Sequence, residues 1–357
     1  MPAAVYRRMG RVSRMAVAAS IEALEDSKLA LETVDKDRVG VIVGTAYGSS
    51  SHVEDFFVSL LREGPRGAQP FLFPETVPNA PASHIAMFHG ITGPNTTFCQ
   101  NDISAEHAIL YGVNLLSQNI ADVVFVGGAD ELTAMQYGCY DALGALNKIK
   151  AENDEAIKPA PGGGLVLGEG AGILIMERSE SARRRGASIY GALRSGASTG
   201  GIASIGRYEV EGKETARAIS LAIEQAGTDK DKTGKGIDII DVSANFSPEL
   251  DRMEFNQLRK IFPKHDDDLM VTPLKYLMGN FGGAGAIRAA AILLSLHRQS
   301  PLPSISVRSP AGESKAALDW HITSNRNIQA ALMTSSTFGG GSCSFVFSRV
   351  LANRKKP

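Results

Sequence analysis

GPNTTFCQNDISAEHAI, residues 93–109, is the stretch whose reading decides the fold. Its first half reads as a loop or short strand running into a sharp turn. Its second half opens a helix, with Ile103, Ala105, Ala108, Ile109 and Val113 marking an apolar face at helical spacing. A residue on such a turn sits at a helix N-terminus, where unpaired N–H groups and the helix dipole favour negative charge. Nucleophiles are often placed there.

Outward from this stretch, strand-like and helix-like segments alternate. Helices are expected at 11–28, 51–63, 79–89 and 104–118, and strands at 38–45, 121–127 and 165–177. The order then recurs: helix 178–185, strand 188–196, helix 211–226, strand 237–243, helix 251–261, strand 268–272, helix 282–298, and strands near 328–334 and 342–348. Apolar strands between helices predict an α/β chain with a mostly parallel sheet covered on both faces. The β–α pattern repeats without a clear sequence repeat. Loops 144–164 and 227–236 read as polar and solvated.

With 357 residues, 43% hydrophobic and 21% charged, the chain is long enough for one large core or two fused ones. The net charge of -1 gives no field for nucleic acid or membrane. No apolar run reaches the roughly 18 residues of a membrane span. Arg7, Arg8, Arg11 and Arg14 superficially resemble a transit peptide, but a basic start to a soluble helix is expected. The three cysteines form no CxxC pair and fit a reducing cytoplasm.

Glycines at 162–164, 168, 170 and 172 precede an apolar β-like run and no helix, so close backbone packing is expected over a phosphate loop. Gly282–Gly285 opens a helix; it either lines a pocket or packs tightly against a neighbour. Cys99, Cys139 and Cys343 are expected as buried small hydrophobes. His107 is expected to be packed or hydrogen-bonded. The seven histidines show no ligand spacing, so neither metal nor cofactor is expected.

Several segments together resemble the β-ketoacyl-acyl carrier protein synthases, ketosynthases of the thiolase fold. They are RRMGRVSRMA (7–16), VGVIVGTAYG (39–48), VPNAPASHIAMFHGITGPNTT (77–97), VVFVGGAD (123–130), GLVLGEGAGILIMERSESARRRGASIYG (164–191) and FGGGSCSFVF (338–347), in the family's order. The resemblance implies a thiolase-like fold of two pseudo-related α-β-α-β-α halves, here 1–177 and 178–357. It also implies that the family's segment before the RRMxRxSRMA helix is lacking, an N-terminally shortened form.

The resemblance implies a Cys-His-His triad in active members, and this chain departs from it at all three positions. Nine residues past Gly93, and just before the Ala108–Ile109 pair, Asp102 stands at the nucleophile position. ANFSPELDRME (244–254) puts Asn245 at the first histidine, and LKYLMGNFGGAGA (274–286) puts Asn280 at the second. Lys275 and Glu254 remain, with an ordinary buried ion pair as their structural reading. Phe338 remains beside Gly339 and Gly340, where the family has a gating aromatic or, more simply, core packing. A carboxylate is a poor substitute for a thiolate, and asparagines do not titrate near neutral pH.

The resemblance therefore implies a non-condensing, chain-length-factor-like partner of an active ketosynthase in fatty acid or polyketide biosynthesis. It would form a homodimer or heterodimer, with acyl carrier protein a further partner and the cytoplasm its location. The alternatives are an acyltransferase or malonyl decarboxylase using Asp102 with Asn245 and Asn280, and a non-catalytic remnant.

Overall fold

The computed structural model describes residues 9–68, 70, 72–147, 163–204, 206–227, 236–262, 269–305, 320–321 and 327–350. Arg7 and Arg8, most of loops 144–164 and 227–236, and the first residues of the strand expected at 268–272 lie outside the described residues. The chain divides into two compact units. One comprises Met1–Ala187 with Asn245–Ser247 and Met278–Ile287; the other comprises Ser188–Ala244, Pro248–Leu277 and Arg288–Pro357.

The first unit runs α1 (Arg11–Ser27), β1 (Val39–Gly44), α2 (Ser50–Glu63), α3 (Ala80–His89), β2 (Asn95–Phe98), α4 (Ser104–Ser117), β3 (Val123–Asp130), α5 (Ala134–Ala142), β4 (Gly170–Glu177) and α6 (Ser179–Arg184). Its sheet has the order β2-β1-β3-β4. β1 is parallel to both neighbours, and β4 is antiparallel to β3. All six residues of β1, VGVIVG, are buried, which explains their unbroken apolar run. α1 buries Val12, Ala16 and Val17 in a core shared with Val41, Val43 and Phe125. Each such side chain contributes roughly 1.5–3 kcal/mol when fully buried.

The second unit begins with β5 (Ala192–Gly200), α7 (Lys213–Ala226), β6 (Ile239–Asp241), α8 (Pro248–Ile261), β7 (Met270–Thr272) and α9 (Lys275–Met278). After α10 (Ala284–Arg298) come β8 (Ser304–Ile305), β9 (Trp320–His321), β10 (Ala330–Ser336) and β11 (Gly341–Ser348). The sheet order is β5-β11-β10-β6-β7-β8-β9. Ile219, Ala222 and Ile223 of α7 pack with Ile240, Leu332 and Val346.

The two expected halves each carry a sheet, but where mostly parallel pairing was expected both sheets are mixed. In the second, β6 is parallel to β7 and β10, while β5, β11 and β10 are antiparallel in turn. Only residues 337–340 separate β10 from β11, too few for a parallel crossover. α5 was not expected. Its start is a capping box: Gln136 N–H donates to Thr133 Oγ1 at 3.3 Å, and Thr133 N–H donates to Gln136 Oε1 at 3.1 Å. The expected glycine packing is found in the first sheet. A Cβ on Gly127 of β3 would stand 1.9 Å from the Gly172 carbonyl oxygen of β4. No helix among the described residues is long and apolar enough to cross a membrane.

A buried charge pair spans the core of the second unit. The Arg288 guanidinium donates from Nε to Asp241 Oδ2 at 2.7 Å, and both side chains are fully buried. It also donates to Ser335 Oγ and to the Thr334 carbonyl, each at 2.7 Å. Removing one partner of such a pair leaves an uncompensated charge. Arg288→Met is expected to cost roughly 3–5 kcal/mol in urea unfolding, and adding Asp241→Leu to recover much of that loss. A single variant as stable as the parent would contradict this assignment.

Candidate functional site

β1 and β3 lie side by side and parallel, so their C-terminal ends open together at one edge of the first sheet. Open α/β sheets bind ligands at such edges. Asp130 ends β3 there, fully buried. Its Oδ1 accepts from Thr45 Oγ1 at 2.7 Å, Ala46 N–H at 2.8 Å and Tyr47 N–H at 3.2 Å. Its Oδ2 accepts from Gly283 N–H at 2.8 Å. Burial outweighs these four donors and pushes the Asp130 carboxyl up to about 6.

Asp102 sits in a short helical turn, Asn101–Ile103, directly before α4. Asn101 has φ 47°, a left-handed conformation that asparagine tolerates, and it turns the chain sharply. Ser104 Oγ closes the turn, donating to the Asn101 carbonyl at 2.7 Å and accepting from Gln100 N–H at 2.8 Å. The expected nucleophile-type turn is therefore present, and the carboxylate at its tip is 4% exposed.

Asn280 meets it. Its Nδ2 donates to Asp102 Oδ1 at 2.7 Å. The Asn280 backbone is pinned, its N–H donating to the Val166 carbonyl at 2.7 Å and its carbonyl accepting from Gly168 N–H at 3.2 Å. Gly282 resolves the open choice about the 282–285 segment in favour of both readings. It lines the cavity, and a Cβ there would stand 2.6 Å from the Asn101 carbonyl oxygen and 2.7 Å from Ala46 N.

Asp102, Asp130, Glu131, Tyr47, Tyr140 and Asn280 line a narrow cavity within the first unit. Its volume of about 20 Å³ suits roughly one water. The Tyr47 and Tyr140 hydroxyls lie 2.5 Å apart, and burial pushes both phenols above their usual range. Asn245 belongs to the same unit but is not among the cavity-lining residues; its Oδ1 accepts from Ser247 N–H at 3.0 Å.

Lys275, Glu254 and Phe338 belong to the second unit. Lys275 and Glu254 are each 1% exposed and converge on Ser243. Lys275 Nζ donates to Ser243 Oγ at 3.5 Å, and Ser243 N–H donates to Glu254 Oε1 at 3.0 Å. Burial pushes the Glu254 carboxyl up to about 8. Phe338 packs on Tyr208 with ring centroids 4.5 Å apart, beside Leu250 and Met253.

Cys99 and Cys139 are exposed, against expectation; only Cys343 is buried. Cys99 lies just past the edge strand β2, and Cys139 lies on α5, where Gln136 is the one buried residue. His107 is packed, its ring 6.1 Å from that of Phe98, and burial lowers its pKa. Sequence reasoning missed Asp130, Tyr47 and Tyr140 as site residues. The GGAD run ending at Asp130 was the available signal.

Two family models match the chain: "Beta-ketoacyl synthase, N-terminal domain" over residues 2–182 and "Beta-ketoacyl synthase, C-terminal domain" over 190–308. The chain belongs to the beta-ketoacyl synthase family. It is similar to 3-oxoacyl-[acyl-carrier-protein] synthase 2 of Vibrio harveyi, 28% identical over 96% of this chain and 83% of that protein. Among solved structures it resembles the ishigamide ketosynthase/chain length factor, with TM-score 0.83, 23% identity, and coverage of 96% of this chain and 83% of that one. It also resembles the AntDE:AntF complex, a type II polyketide ketosynthase with its acyl-carrier protein, with TM-score 0.86, 24% identity, and coverage of 96% and 85%. These likenesses carry the thiolase-like fold.

Two outcomes test this geometry. Gly282→Ala presses on backbone at both Asn101 and Ala46, so it is expected to cost roughly 1–3 kcal/mol of stability by chemical denaturation. A neutral variant would contradict the close approach. For Glu254, the folded value lies above the ordinary value of 4.5. The native state then holds the extra proton between pH 4.5 and about 8, and stability falls as pH rises through that window. Glu254→Gln keeps an acceptor for Ser243 N–H and is expected to flatten that slope while changing stability at pH 5 by less than about 1 kcal/mol. An unchanged slope would contradict the assignment.

Proposed function

We propose that this chain is a non-condensing, chain-length-factor-like partner of an active β-ketoacyl-acyl carrier protein synthase in fatty acid or polyketide biosynthesis. The carrying observation is the buried hydrogen bond from Asn280 Nδ2 to Asp102 Oδ1. It directs one N–H of the amide at the proposed second histidine position to the residue at the proposed nucleophile position. A carboxylate held this way attacks a thioester poorly, and any product would be a reactive mixed anhydride, not a transferable thioester. An asparagine supplies no titrating acid or base for decarboxylation. Negative charge at Asp102 also opposes an incoming malonyl carboxylate.

A same-fold partner is supported by the surface of the first unit. Phe57, Leu61, Phe73, Met87, Tyr137 and Leu143 are all exposed there. Phe57 and Phe73 both pack on Phe56; contiguous exposed apolar surface marks an interaction site, and proteins of one fold commonly assemble as dimers. The solved relatives that pair a ketosynthase with a chain length factor make this kind of partner the natural one. Acyl carrier protein would then dock on the pair.

Incubation with malonyl-acyl carrier protein tests the reading. The chain alone is expected to release carbon dioxide at the background rate. A ketosynthase bearing Cys-His-His is expected to co-elute with it and to condense. Turnover by the chain alone, abolished in Asp102→Ala, would overturn the proposal and favour an acyltransferase or malonyl decarboxylase.

A further inference from the structure

Val210, Glu211, the start of α7 and the second half of α8 line a further cavity, within the second unit. Its volume of about 400 Å³ is that of a small-molecule site. Gly212 shapes it. The φ of 65° there is left-handed, and a Cβ would stand 2.5 Å from Met253 Sδ and 2.8 Å from Gln257 Cγ. Glycine therefore lets the chain turn close against α8. Gln257 Nε2 donates to the Glu211 carbonyl and pins that turn. Met253 and Gln257 are buried and form the inner wall.

Lys213 and Lys260 are the cations of this lining, and Glu211 is its acid. Glu211 Oε2 lies 2.5 Å from Lys213 Nζ. That hydrogen bond holds the Glu211 carboxyl below its usual range, and the charge of Lys260 lowers it further. A carboxylate thus already sits within reach of both ammonium groups. It is held loosely, because both side chains of the Glu211–Lys213 pair are well exposed. Asn256 adds a neutral donor: Arg259 Nη1 donates to its Oδ1 at 3.4 Å, which leaves the amide N–H groups for a ligand. The N-terminus of α7 is not used, since Glu209 accepts from the Lys213 and Glu214 N–H groups, each at 3.1 Å.

We propose that this cavity binds a phosphate monoester, with Lys213, Lys260 and Asn256 on the phosphate and Met253, Val210 and Ala216 against the ester group. The charge count favours phosphate over carboxylate. With Glu211 turned out to solvent, the lining carries two positive charges. A phosphate monoester brings roughly -1.5 to -2 near neutral pH. A carboxylate brings only the single charge that Glu211 already supplies. Lysine binds phosphate as a point charge and needs no fixed fork geometry. The apolar part of the wall favours an ester over free phosphate. Glu211 is then a built-in competitor that the ligand displaces from Lys213. This site goes beyond the reading of Asp102 and does not rest on it.

Methyl NMR of the full chain tests it, read at the methyl groups of Met253, Val210 and Ala216. Phenyl phosphate is the probe, with inorganic phosphate and benzoate as comparison arms, at constant ionic strength and above the second phosphate pKa of about 6. Phenyl phosphate is expected to shift these resonances saturably and to bind more tightly than either comparison ligand. Lys213→Met and Lys260→Met, both at exposed positions, are each expected to weaken it roughly three- to fivefold, and Glu211→Gln to tighten it by a similar factor. The absence of a saturable shift would overturn the proposal, as would lysine variants that bind like the parent. Benzoate or inorganic phosphate binding as tightly as phenyl phosphate would overturn it too, because the pocket would then not select a phosphate ester.

Discussion

Asp130 is the group on which the site depends. Its carboxyl is buried at the end of β3. It recovers stabilisation from four donors, three from Thr45–Tyr47 after β1 and one from Gly283. Those donors are the backbone that frames the cavity. Tyr47 lines it, and Gly283 follows Asn280 by three residues. Losing one such bond inside a core strands a polar group at a cost of about 1–3 kcal/mol. One carboxyl thus fixes both walls, and the Asn280–Asp102 contact is set by that framework.

The same framework holds the Asn101–Ile103 turn against the Asn280 segment. The turn at Asn101–Ile103, the close approach at Gly282 and the pinned backbone of Asn280 are packing features, and they tolerate any side chain of suitable size at the tip. A carboxylate and an amide of that size then satisfy each other. The cavity they line has room for about one water.

Much of this was legible in the amino-acid order. Helices α1, α2, α3, α4, α7 and α10 and strand β1 lie within a few residues of where periodicity puts them, because each has a clean apolar face or run. The turn carrying Asp102 followed from the motifs, whereas the expected division at 177/178 separated Asp102 from Asn245 and Asn280, which the structure places in the unit of Asp102. Other features depend on long-range packing. The mixed sheets arise from the direction in which β4 and β11 return, which local pattern does not encode. α5 was missed because its outer faces are exposed and it has no apolar stripe; only the Thr133–Gln136 cap betrayed it. The upward shift of the Glu254 pKa follows from desolvation by residues distant in sequence, and the exposure of Cys99 from the edge position of β2.

On the proposed reading, Asp102 accepts a hydrogen bond from Asn280 and takes no acyl group. Intact-mass spectrometry after incubation of the chain with an acyl thioester measures this directly. The account predicts the unmodified mass. An acyl adduct that maps to Asp102 and disappears in Asp102→Ala would contradict it.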